Sequence, residues 1–148
     1  EESKLDITLS VGFKVCVLKN TNQIFIVGGE GSENSTYLYN SEKNIIEKTD
    51  WNLKIPRIGH SLCSEDNYLV CTGTKVKGPE GSTYGSSVEV FRPEWNEWRE
   101  GVSMNSERYD HMSVVSNHKV FVIFGTDPRF PEIGQDGVEY IQIKQVYN

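Results

Sequence analysis

Three histidines, three cysteines and one glycine-rich turn are the residues of this chain with the widest chemical reach. A metal centre needs several such groups converging at ligand spacing, usually with carboxylates, and no spacing among His60, His111, His118, Cys16, Cys63 and Cys71 supplies it. Ser61 follows His60 directly but lacks the flanking glycines of a nucleophile elbow. Gly28-Gly29-Glu30-Gly31 lacks the following helix and the Lys-Ser/Thr pair of a phosphate-cradling loop. The cysteines are odd in number and sit in apolar runs, which favours small buried thiols in a reducing compartment over a disulfide framework. Trp51, Trp95 and Trp98 have the surface to stack on a sugar or a single strand, yet packing between sheets is the simpler use. Trp95, inside the Pro93-Glu94-Trp95-Asn96-Glu97 turn, is expected to be exposed. Asn34-Ser35-Thr36 fits the glycosylation sequon, a match that chance alone supplies in a chain of this length. No catalytic residue, metal ligand or cofactor is expected.

The elements that would hold these residues are strands. Period-two or short apolar runs cover 5–9, 13–18, 24–27, 36–39, 45–49, 61–63, 68–71, 87–91, 98–99, 112–115, 119–124 and 138–143. Turn-formers separate them, among them Lys19-Asn20-Thr21-Asn22, Gly78-Pro79-Glu80-Gly81, Ser116-Asn117 and Asp127-Pro128. No window carries a helical period. The expectation is an all-β chain of antiparallel meanders: one opening strand, then sets of four, four and three.

Two stretches repeat. Arg57-Ile58-Gly59-His60 is followed by Val70-Cys71-Thr72-Gly73 and Val88-Glu89-Val90-Phe91. Arg108-Tyr109-Asp110-His111 is followed by Val122-Ile123-Phe124-Gly125 and Val138-Glu139-Tyr140-Ile141. The offsets agree (108 − 57 = 51, 125 − 73 = 52, 141 − 91 = 50). A period of this size marks a propeller, solenoid or array whose units are stable only against one another.

The repeat resembles the kelch motif: an Arg-x-x-His-like entry, a strand, a second strand ending in Gly-Gly, a third ending in Tyr-Asp, and a Trp about seven residues on. Arg57, His60, Gly73 in the second-glycine slot, Phe91 and Trp98 fit the middle unit. Gly28-Gly29 and Tyr39 fit the first, and Arg108, His111, Gly125 and Ile141 the third. Thr72 and Phe124 depart from the first-glycine slot, Ile46 from the first Trp slot, and the first unit has no clear Arg-x-x-His. The resemblance implies kelch-type β-propeller blades over approximately 11–55, 56–107 and 108–148, with 1–10 as a strand of an adjacent or closing blade. Three blades are too few to surround a channel. The expectation is a partial propeller, completed by further blades of the same gene product or by another chain.

Physical reasons attach to these slots. Glycine admits a positive φ or a close backbone approach. A large aromatic fills the gap between twisted sheets. The entry arginine can reach carbonyls or a carboxylate at the blade rim with its fork of donors.

Binding is expected where the second-to-third and unit-to-unit connections emerge together. Residues 74–87 and 126–137 read as long loops there, and unstructured loops of that length are usually functional. The candidate protein-binding face is Arg57, Lys75, Lys77, Arg108, Tyr109, Arg129 and Glu132. A net charge of −6 argues against nucleic acid or an anionic membrane surface as partner, and no apolar run has membrane-spanning length. No secretory leader is visible, so the expected location is cytoplasmic, with cytoskeletal association in view. The resemblance thus implies a non-catalytic protein-interaction scaffold, cytoskeletal or ciliary. The family's alternatives are the substrate-recognition propeller of a cullin-type ubiquitin ligase and, more distantly, a galactose-oxidase-like copper enzyme, for which no ligand set is seen here.

Overall fold

A computed structural model describes residues 11–129 and 137–143. The fold is all-β: among the described residues there are three antiparallel meander sheets and a short 3-10 turn at Pro93–Trp95. Sheet 1 is β1 (Lys14–Leu18), β2 (Gln23–Val27), β3 (Thr36–Asn40) and β4 (Ile45–Lys48), paired in that order. Sheet 2 is β5 (Ser61–Glu65), β6 (Tyr68–Gly78), β7 (Gly81–Arg92) and β8 (Glu97–Glu100). Sheet 3 is β9 (Met112–Ser116), β10 (Lys119–Ile123) and β11 (Val138–Gln142). The expected sets of four, four and three are present, and the opening strand expected at 5–9 lies outside the described residues.

The sheets stand side by side with their first strands together: β1 packs against β5, and β5 against β9. Sheet 2 is therefore covered on both faces, which is why β6 reads as a continuous apolar run rather than an alternating one. Its parity separates two cores. Leu69, Cys71 and Phe91 face sheet 1 and join Leu18, Phe25, Val27, Leu53 and Trp98. Tyr68, Val70, Val88 and Val90 face sheet 3 and join Cys63, Met104, Val120, Val122 and Ile141. Phe91 lies between Phe25 and Trp98, at 5.5 Å from each ring. The Trp98 indole donates to Thr36 Oγ1 at 2.9 Å, so the buried N–H is satisfied across the sheet gap. Full burial of each such side chain contributes about 1.5–3 kcal/mol.

Each outer sheet carries exposed apolar side chains on the face turned away from sheet 2. Val15 and Val17 of sheet 1 are exposed, as are Met112, Val114, Val138 and Tyr140 of sheet 3.

The two rims differ. On one, hairpins close tightly through residues with positive φ: Asn22, Asn44, Asp66, Asn96, and the pair Asn117-His118. Two consecutive positive φ values at 117–118 give the primed turn whose twist matches its strands. The other rim carries the long connections. There each unit ties its second strand's exit to its own entry loop by an equivalent bond: Glu30 N to Val11 O, Lys75 N to Ile58 O, and Thr126 N to Tyr109 O, at 3.0, 2.7 and 2.8 Å.

Residues 74–87 are not the loop expected from the sequence. The β6–β7 ladder resumes past an irregularity between Thr72 and Thr74 and runs to Gly78 opposite Gly81. The alternating Lys75-Val76-Lys77 and Ser82-Thr83-Tyr84 segments suit a two-stranded ribbon, with Pro79-Glu80 at its tip.

Candidate functional site

The repeated Arg-x-x-His segments build the joints between sheets. Arg57 lies in the β4–β5 connection and is 0% exposed. Its Nη1 donates to Gly73 O and Ser87 O, and its Nη2 and Nε donate to Glu89 Oε2 at 2.8 and 3.3 Å. Glu89 also accepts from the Lys54 backbone N–H at 2.7 Å. Arg108 repeats the arrangement: Nη1 to Phe124 O and Gly137 O, Nη2 to Glu139 Oε2 at 2.8 Å, with Glu139 accepting from Asn105 N. Each arginine fastens a sheet's entry connection to its second and third strands, with its charge matched by a carboxylate that is buried in Glu89 and partly buried in Glu139.

The histidines fasten one sheet to the preceding one. His60 Nε2 donates to Val27 O of sheet 1 at 3.1 Å, and His111 Nε2 shares a hydrogen bond with Thr72 Oγ1 of sheet 2 at 2.8 Å. Neither Nδ1 has a hydrogen-bond partner among the described residues. Burial, reinforced by the neighbouring arginines, lowers the His60 pKa to about 3 and that of His111 to about 4. Both rings are neutral at physiological pH. His118, in its turn, is exposed and lies 3.2 Å from a Glu65 carboxylate oxygen.

Glycine is required where these joints close. A β-carbon on Gly28 would stand 2.7 Å from both Arg57 O and His60 Cε1; on Gly73 it would stand 2.6 Å from Arg108 O and 2.5 Å from His111 Cε1. Both glycines have φ of +69°. Gly73 is thus the counterpart of Gly28, the first glycine of the doublet, and the second-slot assignment made from the sequence is one residue out. The third unit's counterpart is Phe124, at φ +56° and half exposed.

Placement of the expected binding residues follows. Arg57 and Arg108 (2% exposed) are not on the binding face: their guanidinium groups are consumed under the rim. Tyr109 is also buried, stacked on Tyr84 at 5.2 Å with Lys75 Nζ 4.5 Å above its ring. Lys75 and Lys77 do reach the rim, lining a groove of about 300 Å³ together with Val11, Lys14, Ile58 and Asp110. Arg129 is exposed and held by Asp127 at 2.7 Å. Glu132 lies outside the described residues. Trp95 is half-buried against the core between sheets 2 and 3, flanked by Arg92 and Arg99.

Residues not singled out from the sequence include Glu89 and Glu139. Their signal was present: a carboxylate at the same place in both Val-Glu-x-[Phe/Ile] segments, in the middle of strands otherwise apolar. Lys14 was missed because only the fold brings the first strand's base beside the hairpin of sheet 2.

No cysteine or histidine lines the rim groove among the described residues. Cys63 and Cys71 lie in the cores, where burial pushes their thiols up to about 12, so neither offers a thiolate. Among the described residues no group of three or more His, Cys, Asp or Glu is placed to hold a metal ion, and no helix is long and apolar enough to cross a membrane.

No protein-family model and no curated protein matches this chain. A solved structure titled "Structure of YjhT" superimposes on it with a TM-score of 0.67 and 17% identity, over 86% of this chain and 37% of that one. The likeness shows a shared all-β fold of antiparallel sheets, of which this chain spans little more than a third of that structure's length.

Proposed function

We propose that this chain is a kelch-type β-propeller segment serving as a non-catalytic protein-interaction scaffold, cytoplasmic and working with further blades beside it. The observation that carries the reading is the asymmetry of the rims. Tight Asn turns close one rim, whereas the other gathers the inter-sheet connections, the extended β6–β7 ribbon and a groove edged with lysines. The packing of first strand on first strand, the equivalent Arg57 and Arg108 joints, and the length of the matched structure support the propeller assignment. Loops and ribbons on a rigid sheet scaffold are the usual carriers of binding. The non-catalytic part of the reading rests on His60 and His111, which are buried in the sheet joints, and on Cys63 and Cys71, which lie in the cores.

The test is photo-crosslinking in the intact protein within its own cells. A photoreactive side chain at Thr83, on the ribbon, is expected to capture a discrete protein partner, and one at Glu42, on the Asn-turn rim, is not. Equal capture from both positions, or none from Thr83, overturns the reading.

A further inference from the structure

The groove on the connection-bearing rim has a composition at odds with the chain as a whole. Lys14 from β1 and Lys75 and Lys77 from β6 converge on it, against two carboxylates, Glu30 and Asp110. The chain carries a net −6, yet this spot is locally positive. None of the three lysines makes an ion pair with a described residue, whereas Arg57, Arg99, Arg108 and Arg129 are all paired. Lys75 is steadied over the Tyr109 ring, 4.5 Å from its centroid. Its position is thus set by a contact that leaves its charge available to a ligand. Between the lysines lies an apolar floor: Val11 is 67% exposed, and Ile58 is half-buried beside it.

We propose that this groove takes an acidic segment of a partner protein, its carboxylate between Lys14, Lys75 and Lys77 and a small apolar side chain on Val11 and Ile58. The inference rests on the scaffold reading and specifies the partner's chemistry. A volume near 300 Å³ is at the small end of ligand sites and suits two or three side chains rather than a large cofactor. A lysine ammonium is a compact point charge that accepts a carboxylate from several directions. Glu30, Asp110 and the overall negative field oppose a long polyanion, so a peptide with few charges and one apolar anchor is the better fit than nucleic acid.

The intact protein is titrated by fluorescence anisotropy with a short labelled peptide of alternating Glu and Ala carrying one Val, with its Gln-for-Glu counterpart, and with a short oligothymidine. The acidic peptide is expected to bind, to weaken as salt rises, and to lose about tenfold or more in affinity in Lys14→Gln/Lys75→Gln/Lys77→Gln. Lys43→Gln/Lys48→Gln, away from the groove, should leave binding unchanged. The proposal is overturned if the Gln peptide binds equally well, if the triple substitution changes nothing, or if oligothymidine binds more tightly with the same lysine dependence. Crosslinking from Thr83 separates the two claims. A captured partner with no lysine-dependent peptide binding removes the acidic-segment inference alone, and no capture with intact peptide binding removes the scaffold reading.

Discussion

The Cε1 atom of His111 lies 2.5 Å from where a β-carbon on Gly73 would stand. The ring of one sheet's entry loop thus occupies the space a side chain would need on the sheet before it, and the same holds for His60 and Gly28. Two penalties meet on substitution: an L side chain at φ +69° costs about 1–2 kcal/mol, and a backbone carbonyl at 2.6 Å cannot yield as a flexible side chain would. Gly73→Ala is expected to destabilise the protein by about 2–4 kcal/mol in urea unfolding. Gly137→Ala, where a β-carbon meets nothing within 4 Å, should change stability by less than about 0.5 kcal/mol.

Arg57 and Glu89 are both almost fully buried and 2.8 Å apart. Removing one partner leaves the other's charge in the core, so Arg57→Met or Glu89→Leu should each cost about 3–5 kcal/mol. The double variant should cost clearly less than the sum of the two, because neither charge is then stranded. A double-mutant cycle by chemical denaturation measures the difference. The exposed Arg99–Glu97 pair should give a coupling below about 1 kcal/mol in the same experiment.

Stability should fall with acid from the histidines. Their folded pKa values, about 3 for His60 and about 4 for His111, lie below the unfolded value of 6.5. The unfolded chain therefore binds protons first. The neutral-ring contribution is fully present above pH 6.5 and is lost as pH falls toward the folded values. Each histidine contributes a slope of up to about 1.4 kcal/mol per pH unit across that window. Urea midpoints from pH 8 down to 5 check this: flat near pH 8, declining below about 6.5, with a shallower decline in His60→Gln.

The meander, the three sets of strands and the aromatic slots were legible because they rest on local pattern. Phe91 and Ile141 sit at equivalent ladder positions, opposite Leu69 and Val120. The glycine slot was misread because the ladder irregularity beside Gly73 breaks the simple count; aligning Gly73 with Phe124 restores the 51-residue spacing that Arg57 and Arg108 already have. The ribbon over 74–87 was read as a loop because its serines, glycines and lysines have weak strand propensity, whereas ladder pairing and contacts beneath it decide its state. The arginines' reach to carbonyls and a carboxylate was anticipated, but their full burial was invisible for a different reason. A charged residue reads as surface until its carboxylate partner, some thirty residues on, is known. Trp95 likewise gains cover, from the Arg92 and Arg99 guanidinium groups that flank its ring.

Phe124 occupies the glycine position of the third sheet at φ +56°. Phe124→Gly should release the left-handed strain, offset by glycine's greater unfolded-state entropy, for a net gain of about 0.5–1 kcal/mol in thermal unfolding. Its β-carbon also stands where the preceding joints admit none.

Each core holds one buried thiol as reporter, Cys71 between sheets 1 and 2 and Cys63 between sheets 2 and 3, with the half-buried Cys16 at the edge of the first. If the Arg-x-x-His segments are the joints of the array, each joint controls its own thiol. Alkylation with peptide mapping in mild denaturant should show Cys63 becoming reactive in Arg108→Met while Cys71 stays protected, and the reverse in Arg57→Met. Equal exposure of both thiols in either variant, or exposure of the thiol at the opposite joint, would contradict this account.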